Sequence, residues 1–191
     1  DYLCATTLVY FFLELLTKKI KCKINIEDYL IYVLLATVCD VMPLRKLNRL
    51  ISLITLKKFQ ITKNYALNEL YLLCNKKNKV TINDLGFLIG PILNAGGRLG
   101  KSNYATELLS TESSKIVSQR SIQLTKLNNK RKEIETKILN EINFDKIENN
   151  NKDVIIYYNS NINEGMIGII AARLKEFFNK PSIVITTSGN T

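Results

Sequence analysis

From Glu112 to Asn143 the chain contains no glycine and no proline, and Lys and Glu are abundant in it. A breaker-free run of about 30 residues at 1.5 Å per residue gives one continuous helix of about 45 Å, longer than a small domain is wide. Its apolar positions, Ile116, Leu124, Leu127, Ile134, Ile138 and Ile142, keep helical spacing but form a thin stripe that Arg131 interrupts. A helix polar on most faces is typical of a bridge between domains. No clean heptad is sustained, so a free-standing coiled coil is not expected. The rest of the chain divides into the segments on either side of this rod.

Before it the pattern is helical. Residues 3–19 read as a buried helix that exits through Lys18, Lys19, Lys21 and Lys23. A second helix is expected over about Ile26–Val38, with Asn25 as N-cap and Glu27 and Asp28 in the first turn, where the helix dipole favours acids. Its run IYVLLATV is apolar all round and belongs in a core. Two amphipathic helices follow at about 46–58 and 64–75, then a basic loop from Asn75 to Lys79. Thr81 or Asn83 opens the next helix, and Ser102 caps a short one at 103–110. After the rod the grammar changes. The asparagine-rich segment Glu141–Asp153 reads as a linker, Val154–Tyr158 as a buried strand, Glu164–Phe178 as a helix and Pro181–Thr186 as a second strand, together a βαβ unit.

Composition narrows the chemistry. Apolar residues form 46% of the 191-residue chain and charged ones 23%, enough for a packed core. The net charge of +10 favours polyanionic partners, although the abundance of Lys, Ile and Asn suggests an AT-rich genome that inflates lysine. Cys4, Cys22, Cys39 and Cys74 lack paired spacing and read as thiols of a reducing compartment. The apolar run Leu8–Leu16 is too short for a membrane span. Histidine is absent, so Ser-His or Cys-His catalysis and His-metal clusters cannot be built from this chain alone. The start at Asp1 and the end in TTSGNT are expected of an internal fragment of a longer protein.

Two sites carry candidate chemistry. Asp40 is a lone carboxylate at the end of a very hydrophobic helix, just before Pro43. It reads either as a local cap or Asx-turn or as a ligand to a hard cation. In DLGFLIGPILNAGGRLG (Asp84–Gly100) an apolar helical run meets Gly90-Pro91 and breaks into three glycines around Arg98. An arginine held on such a turn offers a rigid donor fork to a phosphate, whereas the plain alternative is a helix cap with a solvent-facing arginine.

Taken together, LLATVCDVMPL (Leu34–Leu44), DLGFLIGPILNAGGRLG and EGMIGIIAARLKE (Glu164–Glu176) resemble the RecJ family, the single-stranded-DNA-specific exonucleases of the DHH phosphoesterase superfamily. The resemblance implies an α/β protein. Residues 1–111 would be the mostly helical C-terminal part of the DHH catalytic domain, 112–146 the long connecting helix, and 152–191 the start of an α/β DHHA1 domain that helps hold single-stranded DNA. It further implies a metal-dependent exonuclease (5′ to 3′) of DNA repair and recombination, using Mn2+ or Mg2+ in a two-metal site whose remaining ligands lie outside this chain. Asp40 falls on the metal-ligand aspartate of a T-V-x-D-V-x-P-L motif, and so is the implied catalytic residue. Arg98, with Asn94 and Gly97 shaping its turn, falls on N-A-x-G-R-L-G as a substrate-phosphate contact, and Arg173 lies in the third motif with a DNA-binding or a structural role. Gly96 stands where the family commonly has alanine, which is expected to loosen the turn. Asn163 stands where a histidine is common. The Asp-His-His motif is absent.

The implied partners are single-stranded DNA and, as candidates, a single-stranded-DNA-binding protein or a helicase, with no membrane, a monomeric state and a cytoplasmic location. Rival readings are another DHH phosphodiesterase acting on oligonucleotides or cyclic dinucleotides, and a non-catalytic basic nucleic-acid-binding protein. A helical interaction scaffold would explain neither Asp40 nor the glycine turn.

Overall fold

The computed structural model describes residues 2–144, 147 and 153–187, so most of the expected asparagine linker lies outside the described residues. The described chain is mainly helical, with a two-stranded parallel sheet near its C-terminus. It divides into two compact units, Asp1–Pro91 with Glu112–Ser118, and Ile92–Thr111 with Gln119–Thr191. No helix among the described residues is long and apolar enough to cross a membrane.

In the first unit α1 (Ala5–Lys19), α2 (Leu30–Cys39), α3 (Lys46–Lys58) and α4 (Tyr65–Leu73) pack around Tyr10, Val33, Ile51, Leu34, Leu67 and Leu70. The expectation of a buried first helix needs correction. Thr7 and Tyr10 are buried, but Leu8, Phe12 and Leu15, one above another at i, i+4 and i+7, stay 59%, 62% and 68% exposed. High apolar content marks a face that is able to be buried; it does not supply the neighbour. The second helix is also shorter than expected. Residues Ile26–Tyr29 form a 3-10 turn, and Asn25 makes no side-chain cap bond.

Thr81, not Asn83, opens the next helical run, through a capping box in which Thr81 and Asp84 satisfy each other's backbone N–H groups. That run does not break at Gly90-Pro91. It continues from α5 (Ile82–Asp84) through a π-helical turn (Leu85–Ile89) into α6 (Gly90–Arg98). In the wide turn Gly90 N–H reaches back five residues to the Leu85 carbonyl. Pro91 then sits in the opening turn of α6, where a missing N–H costs least. A Cβ at 90 would lie 2.5 Å from the Cys39 Sγ at the end of α2 and 3.0 Å from the Leu85 carbonyl, so glycine lets this turn lie close against α2.

The second unit contains α7 (Asn103–Ser110), most of α8 (Ser114–Glu141), β1 (Ile155–Tyr158), α9 (Glu164–Phe178) and β2 (Ser182–Ile185). The strands pair in parallel, Ile155 with Ser182 through Tyr158 with Ile185, and α9 connects them. Ile138, Ile142, Ile155, Ile162, Met166, Ile170 and Leu174 form the core. The strands are buried on one face only: Ile156 and Tyr158, like Ile183 and Ile185, are exposed. The rod is continuous, as its lack of breakers requires. Its buried positions Val117, Ser121, Leu124, Asn128, Glu135 and Ile138, continued just past its end by Ile142 and with Arg131 half-buried among them, follow alternating steps of four and three. A heptad seam is therefore present, but its middle is polar, which is why the apolar stripe reads as thin.

Candidate functional site

Asp40 is the C-cap residue of α2. The turn beyond it is a Schellman closure: Val41 N–H donates to the Val38 carbonyl at 3.1 Å and Met42 N–H to the Thr37 carbonyl at 3.0 Å. The left-handed position of that closure, usually a glycine, is Val41 with φ 54°. A β-branched side chain there is strained. These backbone bonds satisfy the last carbonyls of α2 without the Asp40 carboxylate, which makes no hydrogen bond or ion pair among the described residues and is exposed. The negative end of a helix dipole also disfavours a carboxylate. Asp40 therefore does no capping work, and its charge stands uncompensated. The described residues hold no group of three or more His, Cys, Asp or Glu able to bind a metal ion.

Arg98 is the last residue of α6. The glycines around it differ in role from a simple bare turn. Gly96 and Gly97 are helical, and only Gly100, at φ 75°, occupies a left-handed position. Lys101 N–H closes that turn on the Gly96 carbonyl at 2.7 Å. A Cβ on Gly96 would come within 2.5 Å of the Lys101 carbonyl and 3.2 Å of Leu124, so Gly96 makes this closure tight instead of loosening it. Asn94 and Gly97 are exposed on the same helix.

The Arg98 guanidinium donates through Nη1 to the Gly165 carbonyl at 3.0 Å, which brings the second and third motifs together. A neutral carbonyl leaves the arginine's charge unspent. Arg173 is held differently. Its Nε donates to Glu135 Oε1 at 2.8 Å and its Nη1 to Glu176 Oε2 at 3.0 Å. Those bonds, Glu135 first, raise its pKa further and commit its charge to two carboxylates. Glu135 is buried and also receives Arg131 Nη1 at 2.9 Å. Of the two arginines, Arg98 is the one free to meet an anion.

Sequence reasoning did not single out Glu135, Gly165 or the capping use of Asn163. Asn163 Oδ1 accepts from Gly165 N–H at 2.9 Å and so opens α9. An N-cap three residues before an apolar run was a signal that could have found it.

No protein-family model matches the chain. Among curated proteins it is similar to the single-stranded-DNA-specific exonucleases RecJ of Salmonella typhimurium (31% identity over 173 residues, 87% of this chain and 30% of the relative) and Bacillus subtilis (30% over 157 residues, 79% and 20%). The Escherichia coli RecJ is 31% identical over 173 residues, again 87% of this chain and 30% of the relative. The chain therefore spans less than a third of the length of these relatives. Among solved structures the fold resembles an exonuclease RecJ bound to manganese, with TM-score 0.80 and 22% identity over 93% of this chain and 45% of that one. It also resembles RecJ of Thermus thermophilus in complex with Mg2+, with TM-score 0.75 and 23% identity over 90% of this chain and 27% of that one. Over the span they share, this chain is similar in sequence to these RecJ exonucleases and has the fold of the matching part of their solved relatives.

Proposed function

We propose that this chain works as part of a metal-dependent exonuclease that hydrolyses phosphodiester bonds of single-stranded DNA from the 5′ end, in the cytoplasm, in repair and recombination. Residues 1–111 would belong to the catalytic domain, 112–146 to the connector and 152–191 to a DNA-holding domain. The observation that carries this reading is Asp40: a carboxylate placed against its helix dipole, without a partner among the described residues, within a span similar in sequence to RecJ. Asp40 would hold Mn2+ or Mg2+, which when bound supplies an activated water and neutralises charge on the phosphate. Arg98 would receive a substrate phosphate, its fork oriented by the Gly165 carbonyl. The net charge of +10 adds general attraction to the polyanion.

The test is binding of a labelled oligothymidylate by fluorescence anisotropy across a salt series. The expected result is salt-dependent binding to the single strand, stronger than to a duplex of equal length, with a reduced salt slope in Arg98→Ala. No binding at low salt, about 50 mM, or an unchanged slope, overturns the nucleic-acid reading.

A further inference from the structure

The third motif has a role that the proposed contacts leave unassigned. Gly165 lies at the second position of α9, and its backbone rests directly on the backbone of Arg98. A Cβ on Gly165 would meet the Arg98 carbonyl oxygen at 2.3 Å and the Arg98 C and Cα at 2.9 Å. None of these is the yielding end of a flexible side chain. Gly168, one turn along the same helix, has nothing within 4 Å of such an atom. The absence of a side chain is thus demanded at 165 and not at 168. The same residue offers its carbonyl to Arg98 Nη1, and its own N–H is held by Asn163 Oδ1 at 2.9 Å. Nothing else among the described residues hydrogen-bonds the Arg98 guanidinium, so its direction is set by one acceptor that close backbone approach puts in place.

We propose that Gly165 is a positioning residue for Arg98: the bare second residue of α9 docks on the end of α6, and its Asn163-braced carbonyl aims the guanidinium at the phosphate. This rests on the reading of Arg98 as a phosphate contact. A long arginine side chain has many rotamers, and fixing one before the ligand arrives reduces the ordering cost of each hydrogen bond it makes.

The experiment compares Gly165→Ala, Gly168→Ala, Asn163→Ala and Arg98→Ala in the 191-residue chain, with oligothymidylate binding measured at several salt concentrations and folding followed by circular dichroism. Arg98→Ala is expected to flatten the log–log salt slope by about 0.7, the value for one phosphate contact on a single strand. Gly165→Ala is expected to flatten it equally, and to cause no further loss in the Arg98→Ala background, whereas Gly168→Ala keeps the parental slope. A folded Gly165→Ala with the full slope overturns the proposal. Should Gly165→Ala not fold, Asn163→Ala decides. Weakened binding that vanishes as an effect once Arg98 is alanine supports positioning, and losses that simply add overturn it. If Arg98→Ala itself keeps the parental slope, the phosphate reading has failed instead.

Discussion

At position 40 a negative side chain sits where an α-helix least favours one, and this gives a prediction whose sign separates ligand from cap. An N-cap or Asx role would make its loss cost about 1 kcal/mol. The Schellman bonds of Val41 and Met42 already close α2, so Asp40→Ala is expected to leave stability unchanged or raise it by about 0.3–1 kcal/mol, as urea unfolding would show. Where the remaining metal ligands are supplied, Mn2+ binding, read by electron paramagnetic resonance titration, should fall at the same time. Gly96 permits a second test: Gly96→Ala is expected to destabilise by about 1–3 kcal/mol, because the Lys101 carbonyl and Leu124 stand where its methyl must go. Both residues were visible in the sequence as oddities. Their reasons were not, because the left-handed position after Asp40 is a valine and the constraint on Gly96 comes first from the Lys101 carbonyl, which only the folded turn brings back over it, and then from Leu124, far along the chain. The same disguise recurs at Lys21 and Asn75, both at positive φ beyond the ends of α1 and α4 where glycine would have announced the stop.

Among the elements, the start of α5 was the most legible. Thr81 followed by an acid three residues on is a capping signature, and the structure extends it into a buried network. Asp84 accepts from Thr81 N–H at 3.0 Å, Thr81 Oγ1 at 2.7 Å and Tyr71 Oη at 3.0 Å, with Lys76 Nζ 3.1 Å away. Burial pushes this carboxyl up, but the Thr81, Lys76 and Tyr71 contacts outweigh it and leave its pKa at about 2 against an ordinary 3.8. Because the folded value is depressed, the network stabilises above pH 3.8 and its contribution fades as pH falls towards 2. Asp84→Asn should remove about 2 kcal/mol at neutral pH and flatten this acid limb of the stability profile. Burial, then the bond and charge of Asp84, push Tyr71 up to about 12, so its contribution holds below pH 10 and is lost as pH rises through 12.

The rod was legible as a rod, but not in what it buries. Polar seam residues such as Asn128 and Glu135 read as solvent-facing until a partner is seen; for Glu135 that partner is Arg173 of α9. Glu135→Ala leaves Arg131, whose side chain is 14% exposed, without its carboxylate. It should cost about 3 kcal/mol in urea unfolding. Arg173→Ala should cost about 1 kcal/mol or less, since that side chain is 51% exposed and Arg131 still neutralises Glu135.

For the molecule as a whole, the order of elements and the change from helices to a βαβ unit followed from breakers and periodicity, whereas burial did not, since periodicity never says what lies opposite an apolar face. A sequence with no histidine and the lack of a metal-holding cluster among the described residues lead to a further expectation: the 191-residue chain alone releases no nucleotide from labelled single-stranded DNA in Mn2+, a result that metal-dependent release surviving repurification would contradict. The uncovered side of α1 also bears on how the chain behaves in a test tube. Leu8, Val9, Phe12, Leu15 and Ile20, each more than half exposed, form an adhesive surface on a particle carrying +10. At low ionic strength that charge holds particles apart, but the screening length shrinks from about 10 Å at 0.1 M salt to about 3 Å at 1 M, and the attraction between oily surfaces survives. Colloidal repulsion should therefore give way to clustering as salt is added, seen as light scattering that rises with ionic strength and subsides in Phe12→Ser. The same titrant that would weaken a polyanion's hold on this chain would bring its copies together.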